Sequence, residues 1–293
     1  MKINEIRPQD NEYTKVLQTI ALTPKLLYYY GEWPKERIKS VAIVGARKNT
    51  RYGEEVAFNL AKALAEKGII VVSGLAYGID SIAARGALAG GGKTIAILGT
   101  IIERIYPAEH TKLAEEIVAK GGVVASEYHF GDELYDHKSS FLQRNRIISG
   151  LADAVVVVEA REKSGSLNTA SHAIAQGKDL FAVPGDINRQ TSQGCNRLIL
   201  NGANPYLGVE DFIKYLFPTA KSRSKKARQD QISLFADTQE EKDILTLLSA
   251  EVRDGDEILD RLGMDIVTFN QTITMLEIKG AVKSLGANYW TLA

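Results

Sequence analysis

The stretch Val41-Ala42-Ile43-Val44-Gly45-Ala46-Arg47 decides the fold, because four apolar residues lead directly into a glycine and an arginine. A short apolar run without polar alternation is typical of a strand buried on both faces of a parallel sheet. Comparable runs follow along the chain at 69–72, 94–98, 123–125, 154–158 and 180–183. Most of the gaps between them show helical spacing of apolar residues, as over Tyr52–Lys67. Alternating strands and helices predict the α/β class, with a Rossmann-like, doubly wound and mostly parallel sheet.

Glycines stand where the first two of these strands end. Gly45 follows the first strand, and Gly74 and Gly78 lie in the turn Ser73–Asp80 after the second. Open α/β sheets bind ligands at the carboxyl ends of their strands, where glycine lets the backbone approach and helix N-termini favour anions. Arg47 lies at this edge, where such sheets bind ligands; the alternative is an ion pair with a carboxylate at the sheet edge. The spacing is not Gly-x-Gly-x-x-Gly and does not support a dinucleotide fingerprint.

A third turn, Ser164-Gly165-Ser166-Leu167-Asn168-Thr169-Ala170, follows the strand at 154–158 and opens a helix. Ser164 and Ser166 place hydroxyl groups next to the free backbone amides of that helix, a combination that can receive a phosphate. Plain capping of the helix by the same hydroxyls is an equal alternative. Both serines are therefore candidate binding residues.

The densest cluster of basic and aromatic residues precedes the strand at 154–158 and consists of Lys138, Phe141, Arg144 and Arg146. Cations neutralise phosphates, and an aromatic ring stacks on a base, so this chemistry favours a single-stranded nucleic acid. Phe141 has an equal alternative as a core residue. One of the two arginines has an alternative as an inward-facing brace for a carboxylate such as Glu127 or Glu159.

Composition divides the chain into four parts. Residues 1–40 are a short N-terminal helical extension, with one or two helices expected over Asn11–Leu27; residues 41–217 are the Rossmann-like core. Residues 218–237 are a basic linker, and 238–293 are a small winged-helix-like domain. The last part is predicted to contain three helices and a hairpin at Glu240–Ser249, Gly255–Leu262, Asp265–Lys279, Ala281–Leu285 and Asn288–Leu292.

The charge balance restricts where a polyanion could bind. The 293 residues carry 36 Lys and Arg against 36 Asp and Glu, so a nucleic-acid site must be a local cluster. Residues 238–293 hold 5 Lys and Arg against 10 Asp and Glu, a balance of −5. We therefore favour a protein contact over DNA for the winged-helix-like domain, although winged helices often place their third helix in the major groove.

Other sequence features bear on location and on cofactors. The single cysteine, Cys195, cannot form an internal disulfide, and the four histidines lack the spacing of a metal site. No apolar stretch approaches the ~18 residues of a membrane span, and the first ten residues do not have the pattern of a signal peptide. We expect a cytoplasmic protein without a metal, a cofactor or a membrane partner.

The strand-end motifs quoted above, together with Val183-Pro184-Gly185 and Gly194-Cys195-Asn196, resemble the DNA-processing protein A family, DprA or Smf, over roughly Leu26–Leu216. The resemblance implies a non-enzymatic protein that binds single-stranded DNA and has no catalytic residue. It implies further that the protein protects incoming strands in natural transformation, loads the RecA recombinase and forms a homodimer. By the same resemblance, Arg47 contacts the DNA backbone, and the cluster at 138–146 lines the pocket.

The chain also departs from the family pattern. Ala84-Arg85 stands where a histidine is usual, and Ala108 follows Tyr106-Pro107 where a lysine is frequent. Because a cleft that accepts phosphate does not distinguish a polymer from its monomer, the alternative is a Rossmann-like nucleotide-binding sensor or a nucleotide hydrolase. Hydrolysis would lack its expected carboxylate, since Ser171-His172 follows the turn at 164–170 in place of a glutamate.

Overall fold

A computed structural model describes residues 2–132, 139–217, 236–249, 252–286 and 288–292. The chain forms two compact units, Met1–Ile213 and Lys214–Ala293. Lys138 and most of the expected linker, 218–235, lie outside the described residues.

The first unit alternates strands and helices as the sequence predicts. Its described strands are β1 (Asn4–Ile6), β2 (Leu27–Gly31), β3 (Ser40–Val44), β4 (Ile70–Ser73), β5 (Thr94–Leu98), β6 (Val123–Ser126), β7 (Ala154–Val157), β8 (Asp179–Ala182) and β9 (Asn204–Pro205). Its helices are α1 (Arg51–Glu66), α2 (Ile79–Ala89), α3 (Thr111–Ala119), α4 (Ser140–Leu151), α5 (Gly165–Ala175), α6 (Gln190–Leu200) and α7 (Val209–Leu216), the last of which ends in the second unit.

The strands form one sheet in the order β1-β2-β6-β5-β4-β3-β7-β8-β9. From β6 to β9 all neighbours are parallel, with Val41 of β3 opposite Val71 of β4 on one side and Ala154 of β7 on the other. The order reverses at β3, since the next strand in sequence lies on one side of it and β7 on the other. This confirms the doubly wound fold, and it places a crevice between the loops that follow β3 and β7.

The N-terminal segment differs from the helical extension that the sequence suggests. Thr14–Thr19 is a 3-10 helix rather than an α-helix, and β1 and β2 add two antiparallel strands to the sheet. The run Leu27–Gly31 contains three consecutive tyrosines, which pack well on the half-buried face of a strand. Residues 1–40 therefore belong to the first unit and extend its sheet beyond β6.

Helix α4 is held between the sheet and this N-terminal segment. Tyr13 and Leu17 are fully buried in the same apolar cluster as Ile147 and Leu151 of α4. Gly150 marks the tightest contact, because a Cβ atom there would lie 2.9 Å from a methyl carbon of Leu17. The position of α4 thus depends on residues far outside the strand-end loops.

The described part of the second unit contains three helices and a hairpin in the predicted order. They are α8 (Gln239–Ser249), α9 (Gly255–Leu262), α10 (Ile266–Ile278), β10 (Val282–Gly286) and β11 (Tyr289–Leu292). Asp254 and Asp265 cap α9 and α10 by accepting hydrogen bonds from backbone amides of the first turn. Phe269, Ile273 and Leu276 lie on one face of α10 and pack into an apolar core shared with the other helices and the hairpin. This arrangement is that of a winged helix.

Candidate functional site

A cleft of about 420 Å³ opens at the carboxyl ends of β3 and β7, where the strand order reverses. Its walls are the loop Gly45–Lys48, the first two turns of α4 and the turn Arg161–Ser166 that leads into α5. Among the described residues, its lining includes five cationic side chains and one carboxylate. The formal net charge of the chain is zero. The excess of cations over carboxylates in this lining is therefore a local concentration of positive charge.

Arg47 lies exposed at the mouth of the cleft. Its guanidinium carbon is 5.6 Å from the centroid of the Phe141 ring, which is within cation–π range. In the described part of the chain no carboxylate lies within ion-pair distance of Arg47, so the alternative of an edge ion pair is not observed. The charge of Arg47 is therefore available to a ligand.

Phe141, in the first turn of α4, is half-buried rather than part of the core. Its ring meets Tyr106 edge-on, with centroids 5.5 Å apart. On another side it packs on Gly99, where a Cβ atom would lie only 2.6 Å from a ring carbon. The ring is thus fixed from behind while it lines the cleft and contacts Arg47.

Arg144 lies at the bottom of the cleft and is buried. Its Nη1 donates hydrogen bonds to the carbonyl oxygens of Gly74, at 2.9 Å, and of Ile97. Burial lowers the pKa of Arg144 to about 10, and the neighbouring Asp80 opposes that shift. Burial also raises the pKa of Asp80, while the charge of Arg144 opposes this. Arg144 and Asp80 are therefore buried neighbours of opposite charge, and each hydrogen-bonds the backbone of Gly74 just after β4.

The glycines serve close contacts among the strand-end loops. A Cβ atom on Gly74 would lie 2.6 Å from both Arg144 Nη2 and Asp80 Oδ2. Gly78 has φ +74°, and a Cβ atom there would lie 2.3 Å from the Ala46 carbonyl oxygen. Gly45 lines the cleft and packs against Ile79 in the same way. Bulkier residues at these positions would separate the loops that shape the cleft.

The turn into α5 caps its helix and also lines the cleft. Ser164 is the N-cap of α5, and its Oγ accepts a hydrogen bond from the Ser166 amide at 3.4 Å. The Oγ atoms of Ser164 and Ser166 are 2.8 Å apart. The capping interpretation is thus confirmed, and the same N-terminus also opens on the cleft, because Ser164, Gly165 and Ser166 all line it.

The structure does not bring Arg146 to the cleft. Arg146 and Arg144 lie on different faces of α4, and the Arg146 Nη2 donates to both carboxylate oxygens of Glu127, at 2.7 and 2.8 Å. Its Nε donates to the Leu22 carbonyl oxygen at 2.7 Å. Arg146 therefore faces inward and pairs with Glu127, which is the alternative that the sequence left open. The fourth member of the predicted cluster, Lys138, lies outside the described residues.

Three further cations line the cleft and were not singled out from the sequence. Lys48, Arg161 and Lys163 are all exposed at its rim. Their position in the sequence was the available signal, because each lies in a loop that directly follows β3 or β7.

Among the described residues, no cluster of three or more His, Cys, Asp or Glu side chains could hold a metal. None of the helices in the described part of the chain is long and apolar enough to cross a membrane.

Comparisons with known proteins match both units. The sequence model of DNA recombination-mediator protein A matches residues 4–217, and that of the DprA winged helix domain matches 228–288. Protein Smf from Synechocystis is 39% identical over 215 residues, which are 72% of this chain and 53% of that protein. The chain thus spans about half the length of this relative.

Two solved structures resemble this chain over about three quarters of its length. DNA processing protein A from Streptococcus pneumoniae has a TM-score of 0.66 and 37% identity, over 73% of this chain and 74% of that one. DNA processing protein A from Helicobacter pylori, whose structure addresses its single-stranded DNA binding mode, has a TM-score of 0.64 and 32% identity, over 74% and 97%. The resemblance that the strand-end motifs carry is confirmed, and this chain belongs to the DNA recombination-mediator protein A family, also named DprA or Smf.

Proposed function

We propose that the chain binds single-stranded DNA in the cleft between the β3 and β7 loops. The observation that carries the proposal is the pair of Arg47 and Phe141, in which an exposed guanidinium stands 5.6 Å from a ring held in place from behind. An arginine beside an aromatic ring offers a phosphate contact and a stacking surface at the same point. The Helicobacter relative, whose single-stranded DNA binding mode has been addressed structurally, supports the assignment.

The exposed cations predict how the DNA backbone is held. Arg47, Lys48, Arg161 and Lys163 surround the cleft in solvent, whereas Arg144 is buried and already bonded to carbonyl groups. Four solvated cations that each neutralise one phosphate of a single strand give a log-log salt slope of about −3. Binding of this kind depends on the backbone and has little base preference.

The ring of Phe141 explains a preference for single strands. Stacking of a base on an aromatic side chain contributes about 1–3 kcal/mol and requires a base that is free of its own stack. Because Tyr106 and Gly99 already fix the ring, little side-chain entropy is lost when a base docks. A paired and stacked duplex cannot present such a base without distortion.

We extend the proposal to the wider biological role that family membership supports. As part of the same proposal, the protein acts without catalysis or a cofactor, as a homodimer in the cytoplasm. There it protects single-stranded DNA that enters during natural transformation and loads RecA on it. Family membership supports this assignment. The test is RecA filament formation on DNA coated by a single-strand-binding protein: the chain should accelerate it, and no acceleration would contradict the RecA role.

Fluorescence anisotropy with labelled oligo-dT and a matching duplex, each over a salt series, tests DNA binding. Single strands should bind more tightly, and Arg47→Ala should weaken binding and flatten the salt slope by about 0.7. Arg85→Ala is the matched control, because Arg85 is exposed on α2 and does not line the cleft. Equal affinity of wild type and Arg47→Ala would contradict the proposal.

One observation favours the nucleotide-binding alternative: the cleft volume of about 420 Å³ lies within the range of small-molecule pockets. Asp80, the carboxylate in the described lining, is buried and accepts a hydrogen bond from the Gly74 amide at 3.1 Å, which leaves it poorly placed to activate water. Saturable binding of a mononucleotide, without any dependence of affinity on oligonucleotide length, would support this alternative.

A further inference from the structure

A second hollow, of about 680 Å³, lies on the other side of α4. We name it the lateral pocket. It is enclosed by the N-terminal segment that precedes β2, by the residues after β6, and by α4 and α5. Its lining includes Leu22, Tyr28, Tyr128, Gln143, Asn168 and His172.

The charges of the lateral pocket differ from those of the cleft. Among the described residues that line it, Lys25 and Arg146 are matched by Glu127 and Asp132. The floor is the ion pair of Arg146 and Glu127, in which one guanidinium nitrogen donates to both carboxylate oxygens; the two side chains are only 8% and 20% exposed. Cations and carboxylates thus balance, so this hollow does not attract phosphate as the cleft does.

The walls combine apolar surface with a few polar groups. Leu22 and Leu142 are 68% and 49% exposed, and the half-buried Tyr28 ring packs 4.8 Å from that of His129, measured between centroids. Tyr128 donates a hydrogen bond to Gln143 at 2.9 Å. Such a mixture is typical of a site for a flat organic ligand.

The polar groups suit the edge of a nucleobase. Asn168 accepts a hydrogen bond from Asn145 at 3.1 Å, which fixes its amide at the wall. Burial lowers the pKa of His172 and so favours the neutral imidazole, one nitrogen of which already hydrogen-bonds the Leu142 backbone; the other ring nitrogen therefore offers an acceptor. Amide, imidazole and phenol groups are those that proteins use to contact unstacked bases.

The lateral pocket adjoins the cleft at Leu142, whose side chain lines both. Arg144 faces the cleft and Gln143 faces the lateral pocket, so α4 forms the ridge between them. We propose that a strand held in the cleft crosses this ridge and places one of its bases in the lateral pocket. The inference rests on the proposed function, since it requires a strand in the cleft, and it assigns a second subsite with base rather than phosphate contacts.

The test compares two oligonucleotides in the full-length protein. Oligo-dT of about 4 and about 16 nucleotides covers the range of site sizes known for single-strand grooves. His172→Ala and Gln143→Ala should each weaken the longer strand by about fivefold or more, the lower end of a base contact, and leave the shorter strand unchanged. The salt slope should not change, because no phosphate contact is removed. Ile174→Ala is the control, since Ile174 is 63% exposed on α5 and does not line the pocket.

The outcomes separate the two proposals. If both lateral variants bind the longer strand like wild type, or if their salt slope flattens, the lateral pocket is not a base subsite. If Arg47→Ala also has no effect on either length, the cleft proposal itself fails. A third arm titrates free thymidine alone: saturable binding that His172→Ala abolishes, together with unchanged oligonucleotide affinity, would mean a site for a free nucleoside and would overturn the proposal of a strand subsite.

Discussion

Replacing Arg144 by methionine should lower the folding stability of the first unit. The side chain is buried, donates to the carbonyl oxygens of Gly74 and Ile97, and stands beside the buried Asp80. Removal of one of two buried, neighbouring opposite charges costs about 3–5 kcal/mol, because the other charge and the hydrogen-bonding partners of the lost group are left uncompensated. For a unit of 213 residues this corresponds to a fall in Tm of roughly 6–20 °C.

Urea unfolding followed by tryptophan fluorescence measures this loss, since Trp33 is 4% exposed in the core of the first unit. The double variant Asp80→Asn with Arg144→Met should lose less than the sum of the two single losses, because the stranded carboxylate is gone. A loss below about 1 kcal/mol for Arg144→Met would refute the reasoning, since that is no more than an ordinary surface-like substitution.

The pH dependence of the loss has a definite sign. Burial raises the pKa of Asp80 in the folded protein, and Arg144 counteracts that rise. Without Arg144 the folded pKa is higher still, so the folded state of the variant favours the protonated acid. Stability linked to that proton is present below the unfolded pKa of about 4 and is lost as pH rises through the folded value. The deficit of Arg144→Met relative to wild type should therefore grow from pH 4 to pH 7.

Three further changes test other parts of the structure. Gly78→Ala should lower the free energy of unfolding in urea by about 1–3 kcal/mol, because of the positive φ of Gly78 and a clash with the Ala46 carbonyl. Gly68→Ala is the control, since Gly68 has φ +71° and no atom within 4 Å, and it should lower the free energy of unfolding less. Equal losses would contradict the clash. Phe141→Ala should lower single-strand affinity by about 1–3 kcal/mol in anisotropy titrations without a change in salt slope; a flattened slope would argue against stacking. Deletion of residues 219–293 should leave the affinity for single strands within about tenfold of that of the full chain, because residues 238–293 carry a net charge of −5. A larger loss of affinity would mean that the linker or the winged helix contributes most of the DNA binding.

The strands of the parallel sheet could be predicted from the sequence to within about a residue at most ends, because strands buried on both faces are nearly continuous apolar runs. The run at 94–98 became β5 (Thr94–Leu98), and the helix expected over Asp265–Lys279 became α10 (Ile266–Ile278). The N-terminal strand β2 was missed. Its three tyrosines are amphipathic, and the partly apolar segment before them resembles a helix in composition, so tertiary pairing with β6 decides its structure.

The division of the basic cluster could have been deduced from helix geometry. Residues two apart on an α-helix point about 200° apart, so Arg144 and Arg146 cannot share a face, whereas Phe141 and Arg144 at i and i+3 can. What the sequence could not show is which face meets the cleft. That depends on the packing of α4 against the sheet and on the carboxylate of Glu127, which directly follows β6 and lies 19 residues before Arg146.

The first forty residues have a practical consequence for work with this protein. β2 covers β6 by antiparallel pairing, from Tyr28 opposite Ser126 to Gly31 opposite Val123. A truncated chain that starts at the first core strand would leave the backbone groups of β6 open along that edge, and exposed strand edges recruit other chains. It would also uncover the apolar back of α4 where Leu17 now contacts Gly150. Such a fragment should precipitate or form inclusion bodies. Its aggregation would result from the truncation and would say nothing about the binding surface.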